Sequence, residues 1–143
     1  MPKPKLFLAD DNPLDGMLLN MGFAEAGRAV EIVQARDGAH ATCLLQEAVL
    51  EVPFPFGLIV IDLNMPKVDG LELLTRLRGW PQLTGVPIVI LTSSTSPADR
   101  QRSLLCNPTA FLIKADDFGG LASVVGKLVP YLFPENPAEP QAA

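Results

Sequence analysis

The run Leu58-Ile59-Val60-Ile61 is apolar at every position and ends on an acid, Asp62. A strand with one wet face alternates apolar and polar residues, and this one does not. It has to be covered on both faces, which is the situation of a strand inside a parallel sheet. The run from Val86 to Leu91 has the same character. A carboxylate at the end of such a strand is costly unless a cation or a set of donors compensates it. Two more acids, Asp10 and Asp11, close the apolar run Leu6-Phe7-Leu8-Ala9 in the same way.

Short β-like runs alternate with helical patterns along the chain. The expected strands are Leu6 to Ala9, Val30 to Val33, Leu58 to Ile61, Val86 to Leu91 and Phe111 to Ile113. The first helix opens with Asn12 as its cap and Pro13 at its first position. Leu14, Met17, Leu18 and Met21 then recur at helical spacing. The second helix starts near Asp37 and presents Ala41, Leu44, Leu45 and Ala48. The third carries Leu73, Leu74 and Leu77 and stops by Gly79-Trp80-Pro81. The fourth begins at Ser96-Pro97 but has few apolar residues among Asp99, Arg100, Gln101 and Arg102, so weak anchoring to the sheet is expected. The fifth begins near Asp117, and Pro130 is expected to kink or end it. Five repeats of strand then helix imply right-handed crossovers and an open, doubly wound α/β sheet.

Folds of this kind bind ligands beyond the carboxyl ends of their strands. Asp10, Asp11, Asp62, Thr92 and Lys114 all fall at or just past expected strand ends. Hard oxygen ligands suit Mg2+, which prefers octahedral geometry and keeps several waters. Asp11 and Asp62 are candidate carboxylate ligands, Asn64 a candidate carbonyl ligand, and Asp10 a holder of a coordinated water. A bound cation would leave Asp62 ionised and nucleophilic. Phosphoryl transfer to a carboxylate needs positioning and charge neutralisation more than new covalent chemistry. Lys114 can pair with one phosphoryl oxygen and the Thr92 hydroxyl can donate to another. Taken singly, each residue has an ordinary role as a cap, a turn former or a solvated strand-end lysine. Their joint occurrence in register at four strand ends favours the site.

Bulk features narrow the classes. The 143 residues suit one domain, and 48% of them are hydrophobic. No apolar run approaches the roughly 18 residues that cross a bilayer. The start Met1-Pro2-Lys3-Pro4-Lys5 leads straight into the first strand, which reads as no signal peptide. A net charge of −5 is not that of a nucleic-acid binder. Cys43 and Cys106 lie in helical stretches without metal-type spacing, and a reduced, cytoplasmic state is expected. His40, the only histidine, lies on the second helix away from the strand ends, with no partner for zinc or a triad. No glycine-rich stretch matches a phosphate loop or dinucleotide fingerprint.

The elements Leu8-Ala9-Asp10-Asp11-Asn12, Ile61-Asp62-Leu63-Asn64-Met65-Pro66 with Asp69-Gly70, Ile90-Leu91-Thr92-Ser93 and Phe111-Leu112-Ile113-Lys114 resemble the receiver domain of two-component response regulators. The likeness runs from about residue 5 to residue 130, nearly the whole folded part. It implies a flavodoxin-like (βα)5 fold with strand order 2-1-3-4-5. It implies a receiver over residues 1–133, and the proline-rich remainder, 134–143, is expected to be disordered. Asp62 would take a phosphoryl group from the phosphohistidine of a sensor histidine kinase. Asp10, Asp11, Asp62 and the Asn64 carbonyl would hold Mg2+. Thr92 and Lys114 would bind the phosphoryl group. Phe111, three residues before the lysine, matches the family's aromatic switch. The surface of helix four, strand five and helix five would then change its affinity for a downstream protein.

The chain departs from the family after Lys114, where many receivers carry a proline in a cis bond. Ala115 stands there, and a trans bond is expected. This loss, the Leu91-Thr92-Ser93-Ser94 segment and the aromatic Val129-Pro130-Tyr131-Leu132-Phe133 resemble single-domain regulators associated with bacterial phytochromes. The apolar end has two readings: it folds back on its own core, or it forms a homodimer contact with helix five. The homodimer is the expectation carried forward. With no element expected after helix five, other proteins would read the switch. Two alternative functions remain at this level. One is a Mg2+-dependent phosphatase with an aspartyl intermediate, although such enzymes normally need an acid where Asn64 stands. The other is a receiver-like scaffold that is never phosphorylated.

Overall fold

A computed structural model describes residues 3–66 and 68–134. Five strands alternate with five helices: β1 Lys5–Ala9, α1 Pro13–Glu25, β2 Glu31–Ala35, α2 Gly38–Ala48, β3 Phe56–Ile61, α3 Gly70–Arg78, β4 Ile88–Thr92, α4 Pro97–Leu105, β5 Ala110–Ile113 and α5 Phe118–Leu132. The strands form one parallel sheet in the order β2-β1-β3-β4-β5, the flavodoxin-like arrangement. Period-two alternation splits the central strands between two cores. Phe7, Ala9, Ile59, Ile61, Ile88 and Ile90 face the side of α2 and α3, with Leu45, Leu73, Leu74 and Leu77. Leu6, Leu8, Leu58, Val60, Val89 and Leu91 face α1 and α5, with Leu19, Phe23, Val125 and Leu128. The continuous apolar runs thus follow from burial on both faces.

The helices start where local chemistry predicts. The side chains of Asn12, Asp37, Ser96 and Asp117 accept backbone N–H bonds at the starts of α1, α2, α4 and α5. Asp69 does the same for α3. Each bond satisfies a donor that the helix itself leaves open. The weak hold expected of α4 is present: Ser103 is its buried residue, while Leu104 and Leu105 lie exposed.

Three expectations need correction. β2 begins at Glu31 and runs to Ala35, past Val33, because Leu8 and Ala9 of β1 take Gln34 and Ala35 as partners. The polar Gln34 hides this extension in the sequence. β4 begins at Ile88, two residues after Val86, and runs through Thr92; Pro87 has no N–H and contributes its carbonyl to Ile59. Pro130 does not end α5, which continues to Leu132. The proline removes one donor on the exposed side of the helix. The buried side chains of Leu128, Val129 and Leu132 hold the last turn against the core.

Leu132 is buried in the α1/α5 core, Tyr131 and Phe133 pack against it, and the Arg28 guanidinium sits 4.8 Å over the Phe133 ring. The apolar end therefore folds back on its own domain. That removes the observation on which the homodimer expectation rested. The expected disordered tail lies outside the described residues, apart from Pro134. Among the described residues, no helix is long and apolar enough to cross a membrane.

At the opposite rim, Arg78 of α3 ties several elements together. Its guanidinium donates to the carbonyls of Asn107 (2.9 Å) and Val86 (3.1 Å) and to the Thr109 hydroxyl (3.1 Å). Thr109 in turn accepts from the Ile88 N–H at 2.9 Å. Asn107 has a φ of 63°, a left-handed turn that asparagine tolerates, and it brings the chain from α4 into β5.

Candidate functional site

The sheet brings the predicted strand-end residues together at its carboxyl edge. Ladder hydrogen bonds continue one residue beyond the strands. The Asp10 N–H donates to the Ala35 carbonyl (2.9 Å), the Asp62 N–H to Ala9 (2.9 Å) and the Lys114 N–H to Thr92 (2.8 Å). The backbones of Asp10, Asp62 and Lys114 are thereby fixed by the neighbouring strands at the edge of the sheet. Asp10, Asp62 and Thr92 are 1%, 5% and 0% exposed, and Asp11 lies open to solvent.

Carboxylate oxygens of Asp10, Asp11 and Asp62 all lie within 4.8 Å of one another. Three hard oxygen donors converging at a buried strand edge fit a divalent cation. The same acids repel without one. Burial pushes the Asp10 carboxyl up to about 7, and a hydrogen bond with Asp15 adds to this. The Asn12 N–H and the Lys114 ammonium act in the other direction without cancelling it. Asn12 N–H donates to Asp10 Oδ1 at 2.9 Å, and Asn64 N–H donates to Asp62 Oδ1 at 3.3 Å. Asn64 follows Leu63 in the turn after β3, exposed and next to the cluster.

Lys114 reaches in from the end of β5. Its Nζ lies 2.9 Å from Asp62 Oδ2 and 3.1 Å from Asp10 Oδ2. Burial by itself would pull this ammonium down. Hydrogen bonds to Asp15 and Asp62 and the charges of Asp62 and Asp10 outweigh burial and hold it above the ordinary lysine value. Thr92 Oγ1 accepts the Ser94 N–H at 3.2 Å and lies at the end of β4 beside this group. Phe111 is half-buried on β5, with the Arg100 guanidinium of α4 5.4 Å from its ring centroid. The Lys114–Ala115 bond is trans, as expected for alanine. The loop that follows walls a cavity of about 160 Å³ between Lys114, Asp15, Leu18, Leu121 and Val124. His40 is exposed on α2, and both cysteines are free.

Two residues of the site were not foreseen. Asp15, in the first turn of α1, makes the shortest of the Lys114 contacts, 2.6 Å from Oδ2 to Nζ. Its place three residues after the Asn12 cap is that of an ordinary helix-start acid. The useful signal was that α1 starts from the acid pair itself, so its first turn has to border the site. The second is Gln34, whose amide reaches the backbone of the Asp10-to-Asn12 loop.

Comparison with known proteins agrees with this geometry. The response regulator receiver domain family matches residues 6–125. The chain is 30% identical over 126 residues to the response regulator Rcp1 of Synechocystis sp. (strain ATCC 27184 / PCC 6803 / Kazusa), which covers 87% of this chain and 85% of that protein. A Mn(2+)-bound form of Rcp1 superposes with a TM-score of 0.77 at 28% identity, over 99% of this chain and 100% of that one. The phosphorylated cyanobacterial phytochrome response regulator RcpA gives a TM-score of 0.79 at 28% identity, over 92% of this chain and 94% of that one. The gliding motility regulatory protein of Myxococcus xanthus is 32% identical over 112 residues, but the chain spans only 13% of its length.

Proposed function

This chain belongs to the response regulator receiver domain family, and we propose that it is a phosphorylatable switch whose phosphoacceptor is Asp62. One observation carries the reading. A buried carboxylate at the tip of β3 lies between a cation-type acid cluster and an ammonium 2.9 Å away. The donor would be the phosphohistidine of a sensor histidine kinase. An Asp62 oxygen attacks phosphorus, the new O–P bond forms and the P–N bond breaks. The electron pair returns to the imidazole nitrogen, which takes up a proton.

Asp10, Asp11, Asp62 and the Asn64 carbonyl would hold the ion, which we take to be Mg2+. When bound, it would neutralise charge on the phosphoryl oxygens and on the acids around them. Lys114 stays protonated across the physiological range. It can move its hydrogen bond from Asp62 Oδ2 to a phosphoryl oxygen with little change of position. Thr92 would exchange its bond with the Ser94 N–H for one to the phosphoryl group. Phe111 packs under Arg100 of α4, so a shift at Thr92 would reach the α4, β5 and α5 surface through neighbouring contacts. Few buried contacts hold α4 in place, which supports it as the element that moves.

The name of RcpA, a cyanobacterial phytochrome response regulator, supports a phytochrome-type kinase as the donor. A switch of this kind would be read through its changed surface by a downstream protein. The experiment is incubation of the chain with a phosphorylated histidine kinase and Mg2+. The wild type is expected to be labelled and Asp62→Asn to stay unlabelled. Equal labelling of both would overturn the assignment.

A further inference from the structure

We infer that Gln34 of β2 is a positioning residue for the cation site, seated against Gly16 of α1. The inference rests on the cation reading above. The acids Asp10 and Asp11 lie on the short loop between β1 and α1, so the path of that loop decides where their oxygens meet a metal. Gln34 Nε2 donates to the carbonyl of Asp10 at 2.7 Å and to that of Asn12 at 3.0 Å. One amide group thus spends both of its protons on the two carbonyls that flank Asp11. Asp11 is the most exposed of the three acids, and this bracket joins the Asn12 N–H bond to Asp10 Oδ1 in holding its backbone.

The other end of the same amide rests on α1. A Cβ placed on Gly16 would lie 2.2 Å from Gln34 Oε1 and 3.3 Å from its Cδ. The helix therefore leaves out a side chain at the point where the glutamine crosses it. Gln34 thus lies between α1 and the loop, with its amide seated against Gly16. The residue type argues in the same direction. An edge strand packs best with β-branched or aromatic residues, and this strand places a long amide opposite Leu8. Nothing in the pairing of β2 with β1 requires it, and the ligand loop uses it.

Octahedral cations tolerate little ligand displacement. A loop already in its bound path loses less freedom when the ion enters. Outer contacts that orient metal ligands typically carry about ten- to a hundredfold in affinity. Gln34→Met keeps the length and packing but has no donor. Mn2+ binding, followed by water proton relaxation on the full chain, is expected to weaken about tenfold in this variant. Its metal-free melting temperature should stay close to wild type. Phosphorylation by a small phosphoryl donor should recover at saturating Mg2+, because the affinity and not the nucleophile is changed. Gly16→Ala should weaken Mn2+ binding by pushing the glutamine aside. Combined with Gln34→Ala it should add nothing, since the two act as one unit. Equal Mn2+ affinity in wild type and Gln34→Met overturns the inference, as does a lowered melting temperature with unchanged affinity. A wild type that binds no Mn2+ overturns the cation reading itself, and the inference with it.

Discussion

The acid cluster makes stability depend on pH in an unusual direction. Most carboxylates with native partners are stabilising when ionised, so acid weakens the fold. Asp10 behaves oppositely, because burial raises its pKa from an ordinary 3.8 to about 7. The native state then holds a proton that the unfolded state has released. The stabilisation is complete below about pH 3.8 and is lost as pH climbs to about 7. The gap is about three pH units, and each is worth about 1.4 kcal/mol. That sets a ceiling of about 4 kcal/mol, or about 10 °C in melting temperature for a domain of this size. Lys114 remains charged throughout that window and does not contribute to the slope.

A divalent ion replaces the proton, so its affinity should rise with pH up to about 7, with up to one proton released per ion bound. The assay is thermal unfolding from pH 4.5 to 7.5, with chelator or with saturating Mg2+, for wild type and Asp10→Asn. The difference between the two proteins isolates Asp10 from the other acids. In chelator, the wild type should lose stability relative to the variant as pH rises, and Mg2+ should abolish the loss. A difference that stays flat across the window would refute the argument that burial governs this carboxyl.

Two further outcomes test the packing. Gly70→Ala would place a Cβ 2.3 Å from the Asp62 carbonyl oxygen and 2.7 Å from Leu63 Cα, both backbone atoms with no room to yield. Urea unfolding should show a loss of about 1–3 kcal/mol, together with weaker Mn2+ binding, because the turn carrying Asn64 is displaced. Leu132→Ala should cost about 2–5 kcal/mol by the same method with no change of mass in light scattering. Unchanged stability with a smaller mass would return Leu132 to a subunit contact.

What was legible in the sequence was what neighbours decide. Asn12, Ser96 and Asp117 cap helices through donors two or three residues away, so the chain order suffices to find them. The apolar strands were legible because burial on two faces leaves no polar position. Asp10, Asp62, Thr92 and Lys114 were legible because parallel strands deliver their ends to one edge, whatever the loops do. Asp15 was not, since its partner Lys114 lies 99 positions further along. Gln34 was hidden for the same reason and also shortened the apparent second strand. Of the two effects expected of Pro130, ending α5 fails because the helix end is held by packing.

The Arg78 network has a mechanical consequence. α4 runs from the loop after Thr92 to the Asn107 turn, and beyond its far end that turn is tied down by a guanidinium shared with Asn107, Val86 and Thr109. The near end rests on the Ser94 and Ser96 loop and the Asp99 side chain. Such an element would act as a lever with its fulcrum near residue 107. A displacement begun at Thr92 would have its greatest sweep near Pro97 and fade toward Cys106. A partner that reads the proposed switch would gain most by gripping the tip of that lever.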